Sequence, residues 1–485
     1  MGQANARTTS GSSTRIFQQF TCVHGTGKRM RRGVKARLVL PLMMLLNACV
    51  PASHSEVASR AVIADSTLPP MKQFSTARPV PPRLSNAVLA QDFLDLAFRM
   101  ESGRTLPVLT RFEGPITLRV AGKPPATLAP DLARLLARLR NEAGIDVRQV
   151  SGTDANITVQ AISRNQIRKL LPQAACFVVP NVSTLAEYRR ARRSPETDWT
   201  RLTERRRLAI FLPNDVSPQE SRDCLHEELA QALGPLNDLY RLPDSVFNDD
   251  NVHTVLTGFD MLILRAYYDP ALRSGMTREE AAAALPAVLA RLNPAGGTVT
   301  PHPTRATPQV WSRAIQAALG RDVSRSARMA AAQDALRIAQ TQGWQDNRRA
   351  FSHYAMGRVV QMTDPAAAQG HYSAAEDYYR RTPGTDLHRA YVATQRAGYA
   401  VTRGDGAGAL TVIEPHLAIA ERSENAALLA TLLLLKAEAL QIEGRDTEAR
   451  RVRLDSIGWA RYGFGPDWAV RAKLREIASL NPRNG

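Results

Sequence analysis

The residues best placed for chemistry fall on one predicted helix, Cys224-Leu225-His226-Glu227-Glu228-Leu229-Ala230-Gln231-Ala232-Leu233-Gly234. A zinc-hydrolase helix carries two ligands at i and i+4, facing one ion, with a glutamate after the first ligand as general base. His226-Glu227 begins such a pattern, but position 230 is alanine, so that register offers one ligand. Shifted by one, Glu227, Glu228 and Gln231 fill the three slots, Gly234 follows, and Asn237 and Asp238 stand where a third ligand would come. In that register Glu227, Gln231 and Asp238 are candidate metal ligands and Glu228 the candidate catalytic base. The donors do not suit zinc, which prefers imidazole and thiolate, and a glutamine carbonyl is a poor ligand for it. Residues 85–292 hold two histidines, His226 and His253, which excludes a three-histidine centre there. The carboxylates Glu227, Glu228 and Asp238 would suit a harder ion such as Ca²⁺ or Mg²⁺. The expectation is a degenerate site with no firm catalytic residue and no firm cofactor, a divalent metal being the alternative. His226 then reads as a solvated or hydrogen-bonded helix residue, and Glu227 and Glu228 as a polar face.

The elements that must position this helix form an α+β domain over residues 85–292, a zincin-like arrangement of several strands followed by a long helix. Helices are expected over 86–100 and 130–143. Runs rich in β-branched residues predict strands at 115–120, 156–162, 176–179 and 207–212. The motif helix starts at Ser217-Pro218-Gln219-Glu220, with Ser at the cap, Pro in the first turn and Glu at the capping-box position, and it stops at Gly234-Pro235. Beyond it, Asp244, Asp249, Asp250, Asn251 and Asp260 mark an acidic loop. It reads either as solvated turn chemistry or as part of a site for a cation or a peptide N-terminus.

Residues 293–309 are rich in Gly and Pro and read as a linker. Residues 310–485 read as an all-α helical-repeat domain. Gly370…Ala375, Gly404…Ala409 and Gly444…Ala449 recur with a glycine expected between paired helices. This weakly resembles the tetratricopeptide repeat, and a short solenoid of that kind commonly presents a groove to protein or peptide partners.

The amino-terminal region reads as an address. Lys28–Arg37 is a basic stretch, Leu38–Leu46 an apolar core too short to span a membrane, and Leu46-Asn47-Ala48-Cys49 resembles the bacterial lipobox. Residues 1–48 are then a lipoprotein signal peptide, whose true start is expected at Met30, and Cys49 is the lipidated residue. Residues 49–84, rich in Pro, Ser and Ala, read as a flexible tether. The mature chain keeps Cys176 and Cys224, an even pair that an exported protein would join in a disulfide. The net charge of +18 is carried almost wholly by scattered arginine, with eight basic residues in the signal itself, so nucleic acid is not an expected partner.

Several short motifs together resemble a known family. Cys224 to Asp238 is followed by Asp244-Ser245-Val246-Phe247-Asn248-Asp249, by Thr257-Gly258-Phe259-Asp260, by Leu264-Arg265, and by Tyr268-Asp269-Pro270 with Arg273-Ser274-Gly275-Met276. Over residues 85–292 they are similar to the proteobacterial putative-lipoprotein family called domain of unknown function 2927. The resemblance implies an envelope protein whose zincin-like helix lacks the metal histidines, and it brings no activity with it. The reading is a lipid-anchored protein facing the periplasm, at the outer membrane rather than the inner. It would act as a binding or assembly factor through its helical repeats, and it leans away from an enzyme. The alternative is a metal-dependent, peptidase-like hydrolase using Glu227, Glu228 and Gln231.

Overall fold

The computed structural model describes residue 66 and residues 68–74, 80–302, 305–320 and 322–484. Cys49, Met30 and the signal segment lie outside the described residues.

Chain order in the first module is α1 (Asn86–Ala97), β1 (Ile116–Gly122), α2 (Leu128–Arg138), β2 (Val147–Gln149), β3 (Ile157–Ile162), α3 (Arg164–Arg168), β4 (Phe177–Pro180), α4 (Leu185–Ala191), β5 (Leu208–Pro213), α5 (Pro218–Leu233), α6 (Gly258–Tyr267) and α7 (Arg278–Leu292). The strands make one sheet in the order β2-β1-β3-β5-β4, parallel except for the antiparallel edge strand β4. Val159 of β3 pairs with Val120 on one side and Ile210 on the other. β5 is buried along its whole length because both of its faces are covered. Leu208, Ile210 and Leu212 enter the main core with α1, α2, α5, α6 and α7, while Ala209 and Phe211 face a smaller core with Ile167, Phe177 and Leu185. The strand expectations held; β2 and the short helices α3 and α4 had no expectation attached.

Cys176 and Cys224 are bonded, with Cα atoms 5.9 Å apart and a sequence separation of 48. The bond fastens the beginning of β4 to the middle of α5. Closing a loop of that length restricts the unfolded chain, and its loss is expected to cost about 4 kcal/mol. Urea unfolding of the Cys176→Ser/Cys224→Ser variant should show that loss; an unchanged midpoint would mean the bond contributes no stability.

The second module is helical throughout: α8 (Gln309–Leu319), α9 (Arg325–Thr341), α10 (Asn347–Val360), α11 (Pro365–Arg381), α12 (Asp386–Thr402), α13 (Gly406–Arg422), α14 (Ala426–Ile442), α15 (Asp446–Phe464) and α16 (Asp467–Ala478). Each helix packs on the next, as a repeat array requires. Ala375, Ala409 and Ala449 are buried. Gly404 and Gly444 occupy the expected turns at φ 71° and 76°, in the left-handed region that a Cβ disfavours. Gly370 departs from the expectation, because it lies inside α11 rather than between helices.

Two boundaries also differ from expectation. Residues 68–74 are not part of a free tether: Leu68, Met71 and Phe74 pack against the helical core, and Phe74 stacks on Trp459 at 4.6 Å. Pro69 O and Phe74 O accept hydrogen bonds from Arg461 and Arg134, and Lys72 N donates to Gly458 O. The linker is held at both ends: Asn293 exchanges hydrogen bonds with Asn86, and Arg305 O accepts one from Arg348.

The two modules are not separate bodies. Tyr240 and Val252 of the loop after α5 are buried in the second module's core with Trp311, Phe351 and Leu387. Along that junction Asn347 Nδ2 donates to Tyr240 O (2.7 Å), His388 Nε2 meets Asp250 Oδ2 (2.8 Å), and Gln219 Nε2 donates to Asn425 Oδ1 (3.1 Å). Asn347, His388 and Asn425 stand at the N-terminal ends of α10, α12 and α14. The positive ends of α10 and α12 favour the acidic loop that meets them, and α14 meets Gln219 of α5. The edge of the array that they form is therefore occupied by the chain itself.

Candidate functional site

α5 begins as its sequence dictates: Ser217 accepts from Glu220 N (3.1 Å) and Pro218 occupies the first turn. The reciprocal half of the capping box is not made, because the Glu220 carboxylate pairs with Arg164 of α3. At the other end the fully buried Arg205 donates to Gln231 O and Gly234 O, and Tyr268 Oη donates to Leu233 O at 3.0 Å. A cation at the helix C-terminus satisfies carbonyls that have no partner within the helix. Nothing in the local pattern around Arg205 or Tyr268 marks either residue for that task.

His226 points away from the candidate slots. Its Nδ1 accepts from Leu256 N at 3.1 Å, and burial, with Arg138 and Arg222 nearby, holds its pKa well below the ordinary value. It is a neutral, hydrogen-bonded structural histidine. Asn237 is also diverted: its Nδ2 donates to Asp95 O at 2.8 Å.

Glu227 and Asp238 do come together, joined by two residues from elsewhere. The carboxyl of Glu101, in the turn after α1, hydrogen-bonds Asp238 and feels Asp249 and Glu227. Burial and these like charges drive its pKa well above the usual carboxylate range. Tyr240 adjoins the same group, its phenol pushed upward by burial and by Asp249, Asp250 and Asp238. Glu228 and Gln231 are buried on α5. Among the described residues, no three His, Cys, Asp or Glu side chains are arranged to hold a metal ion. Glu101 and Asp238 are thus joined by a hydrogen bond, with the charges of Asp249 and Glu227 acting on Glu101. Glu101 was missed because it lies over a hundred residues before α5, with no motif to mark it.

The acidic loop corrects one expectation. Asp250 and Asp260 are buried, not solvated turn residues. Asp260 accepts from Ser245 Oγ, Val246 N (3.1 Å) and Thr257 N (2.7 Å), and Asp250 accepts from Asn248 Nδ2 (2.7 Å) and Val252 N (3.1 Å). They hold the loop in the shape that carries Tyr240 and Val252 into the second module.

A mixed sheet followed by a long carboxylate-bearing helix, joined to a helical array, defines the class. Residues 86–287 match the family model described as protein of unknown function (DUF2927). No curated protein and no solved structure matches the chain. No helix among the described residues is long and apolar enough to cross a membrane.

Proposed function

We propose that this protein is a bacterial cell-envelope lipoprotein, lipidated at Cys49 and facing the periplasm, that binds a cationic segment of a partner protein and does not cleave it. The α5 layout supports a zincin-like ancestry for the domain, with the metal slots given over to Glu227 and Gln231. One observation carries the binding reading: Glu101 hydrogen-bonds Asp238, and the like charges of Asp238, Asp249 and Glu227, with burial, raise its pKa. A lysine or arginine, or a peptide amino terminus, would relieve that repulsion. The helical array supports the partner being a protein, but the edge formed by α10, α12 and α14 is already filled. Its remaining faces would extend the contact.

Full-length protein prepared without chelator should carry no metal that depends on Glu227. It should bind a lysine- and arginine-rich peptide more tightly than the same peptide with glutamates. Glu101→Gln combined with Asp238→Asn should weaken the basic peptide at least about tenfold, since charge-assisted contacts are worth about 1.5–3 kcal/mol each. One equivalent of metal that is lost in Glu227→Ala would overturn this reading and favour the peptidase, with Glu228 as base.

A further inference from the structure

We propose that His353 of α10 and His371 of α11 form a two-nitrogen binding site for a borderline transition-metal ion, Cu²⁺ or Zn²⁺, that bridges the two helices. Their Nδ1 atoms stand 3.2 Å apart, with ring centroids at 5.5 Å and planes inclined by 36°. Zinc–imidazole bonds of about 2.0–2.1 Å at a tetrahedral angle place two nitrogens about 3.4 Å apart. The observed spacing is therefore close to one edge of a coordination shell. Both rings are half-buried, so the ion would remain open to water at its other positions.

Three other histidines in the fold make different bonds. His226 accepts a backbone N–H, His253 meets Pro243 O at 3.0 Å, and His388 meets Asp250 at 2.8 Å. His353 and His371 direct these nitrogens at each other, a neutral pairing in which one ring must donate and the other accept. The surroundings also hold the rings in place: His353 stacks on Tyr378 at 5.7 Å, inclined by 13°, and the Arg349 guanidinium lies 5.3 Å from the same phenol ring. Nearby carboxylates are engaged elsewhere, Glu376 with Arg389 and Asp377 with Arg380.

Arg349 keeps the loaded site cationic, which favours water or a small anion at the open positions. Imidazole donors select copper and zinc over magnesium and calcium, and copper binds more tightly than zinc at equal geometry.

The test is titration of the untagged full-length protein with CuCl₂ and with ZnCl₂ against a competing chelator, with electron paramagnetic resonance of the copper form. The expected result is one His-dependent ion per chain, copper tighter than zinc, and nitrogen hyperfine structure in the copper spectrum. His353→Asn and His371→Asn should each weaken binding at least about tenfold by leaving a single imidazole. His302→Asn, at an exposed position, should leave it unchanged. Equal binding in wild type and both variants, no nitrogen in the copper spectrum, or the same loss in His302→Asn would overturn the proposal. If one variant unfolds, the other variant and the wild-type spectrum still decide.

Discussion

Replacing Arg222 by alanine is expected to lower the stability of the full chain by about 3–5 kcal/mol, the range for breaking a fully buried ion pair. Arg222 sits on α5 with its side chain 0% exposed and reaches across the module junction. Nη1 lies 3.3 Å from Glu424 Oε2, while Nη2 donates to Glu424 O (2.6 Å) and Thr254 Oγ1 (3.2 Å). The rings of Phe74 and Tyr462 lie 5.8 and 5.3 Å from the guanidinium carbon. Without the arginine, Glu424, Asp223 and Asp131 share one buried region, with Arg134 opposing Asp131 and Glu424. Glu424 holds φ 49° in the turn between α13 and α14, where neighbouring helix turns use glycine. That conformation costs a non-glycine residue about 1 kcal/mol or more, and the contacts with Arg222 offset it. The double variant Arg222→Met/Glu424→Gly removes both charges and the backbone strain together, and should recover most of the loss. Urea unfolding followed by circular dichroism measures each variant. A change in Arg222→Ala below about 1 kcal/mol would show that the junction contributes little.

Removing residues 309–485 has a larger expected effect: the first module should fail to fold as a soluble, cooperative domain. The cut exposes Tyr240 and Val252, which are buried among second-module side chains, and leaves Asp250 without His388. It also strands Arg222 without Glu424 and removes Tyr462 from Asp131, whose carboxylate accepts its hydroxyl at 2.7 Å. Buried charges left unpaired and apolar surface returned to water act in the same direction. Residues 80–302 produced alone should be readily proteolysed and should lack a sharp thermal transition. A well-behaved fragment with the Cys176–Cys224 bond intact would show that the modules are independent, and loss of function on deletion could then be assigned to the repeats themselves.

Much of the architecture was legible because it depends on local patterns. Alternating β-branched runs gave β1, β3, β4 and β5 nearly to the residue, and Ser217-Pro218 set the start of α5. The pair Cys176 and Cys224 followed from counting, since no other cysteine follows residue 49. Gly404 and Gly444 marked turns because only they relieve a positive φ there. Gly370 misled, since spacing alone cannot distinguish a turn glycine from one inside a helix. Glu227 and Asp238 were identified through motif spacing, whereas Glu101 joins them through a long-range fold contact that no local pattern encodes.

By itself the sequence determined the element types, the covalent staple, the family of the first module and the absence of metal histidines on α5, because each depends on residue identity or on periodicity within one element. Only the tertiary structure decided that Asp250 and Asp260 are buried, that residues 68–74 belong to the folded body, and that the loop after α5 fills one edge of the helical array. Those outcomes depend on which surfaces meet across hundreds of residues. There the burial of Tyr240 and Val252 and the pairing of Arg222 with Glu424 outweigh what the local composition of a polar, acidic loop would favour.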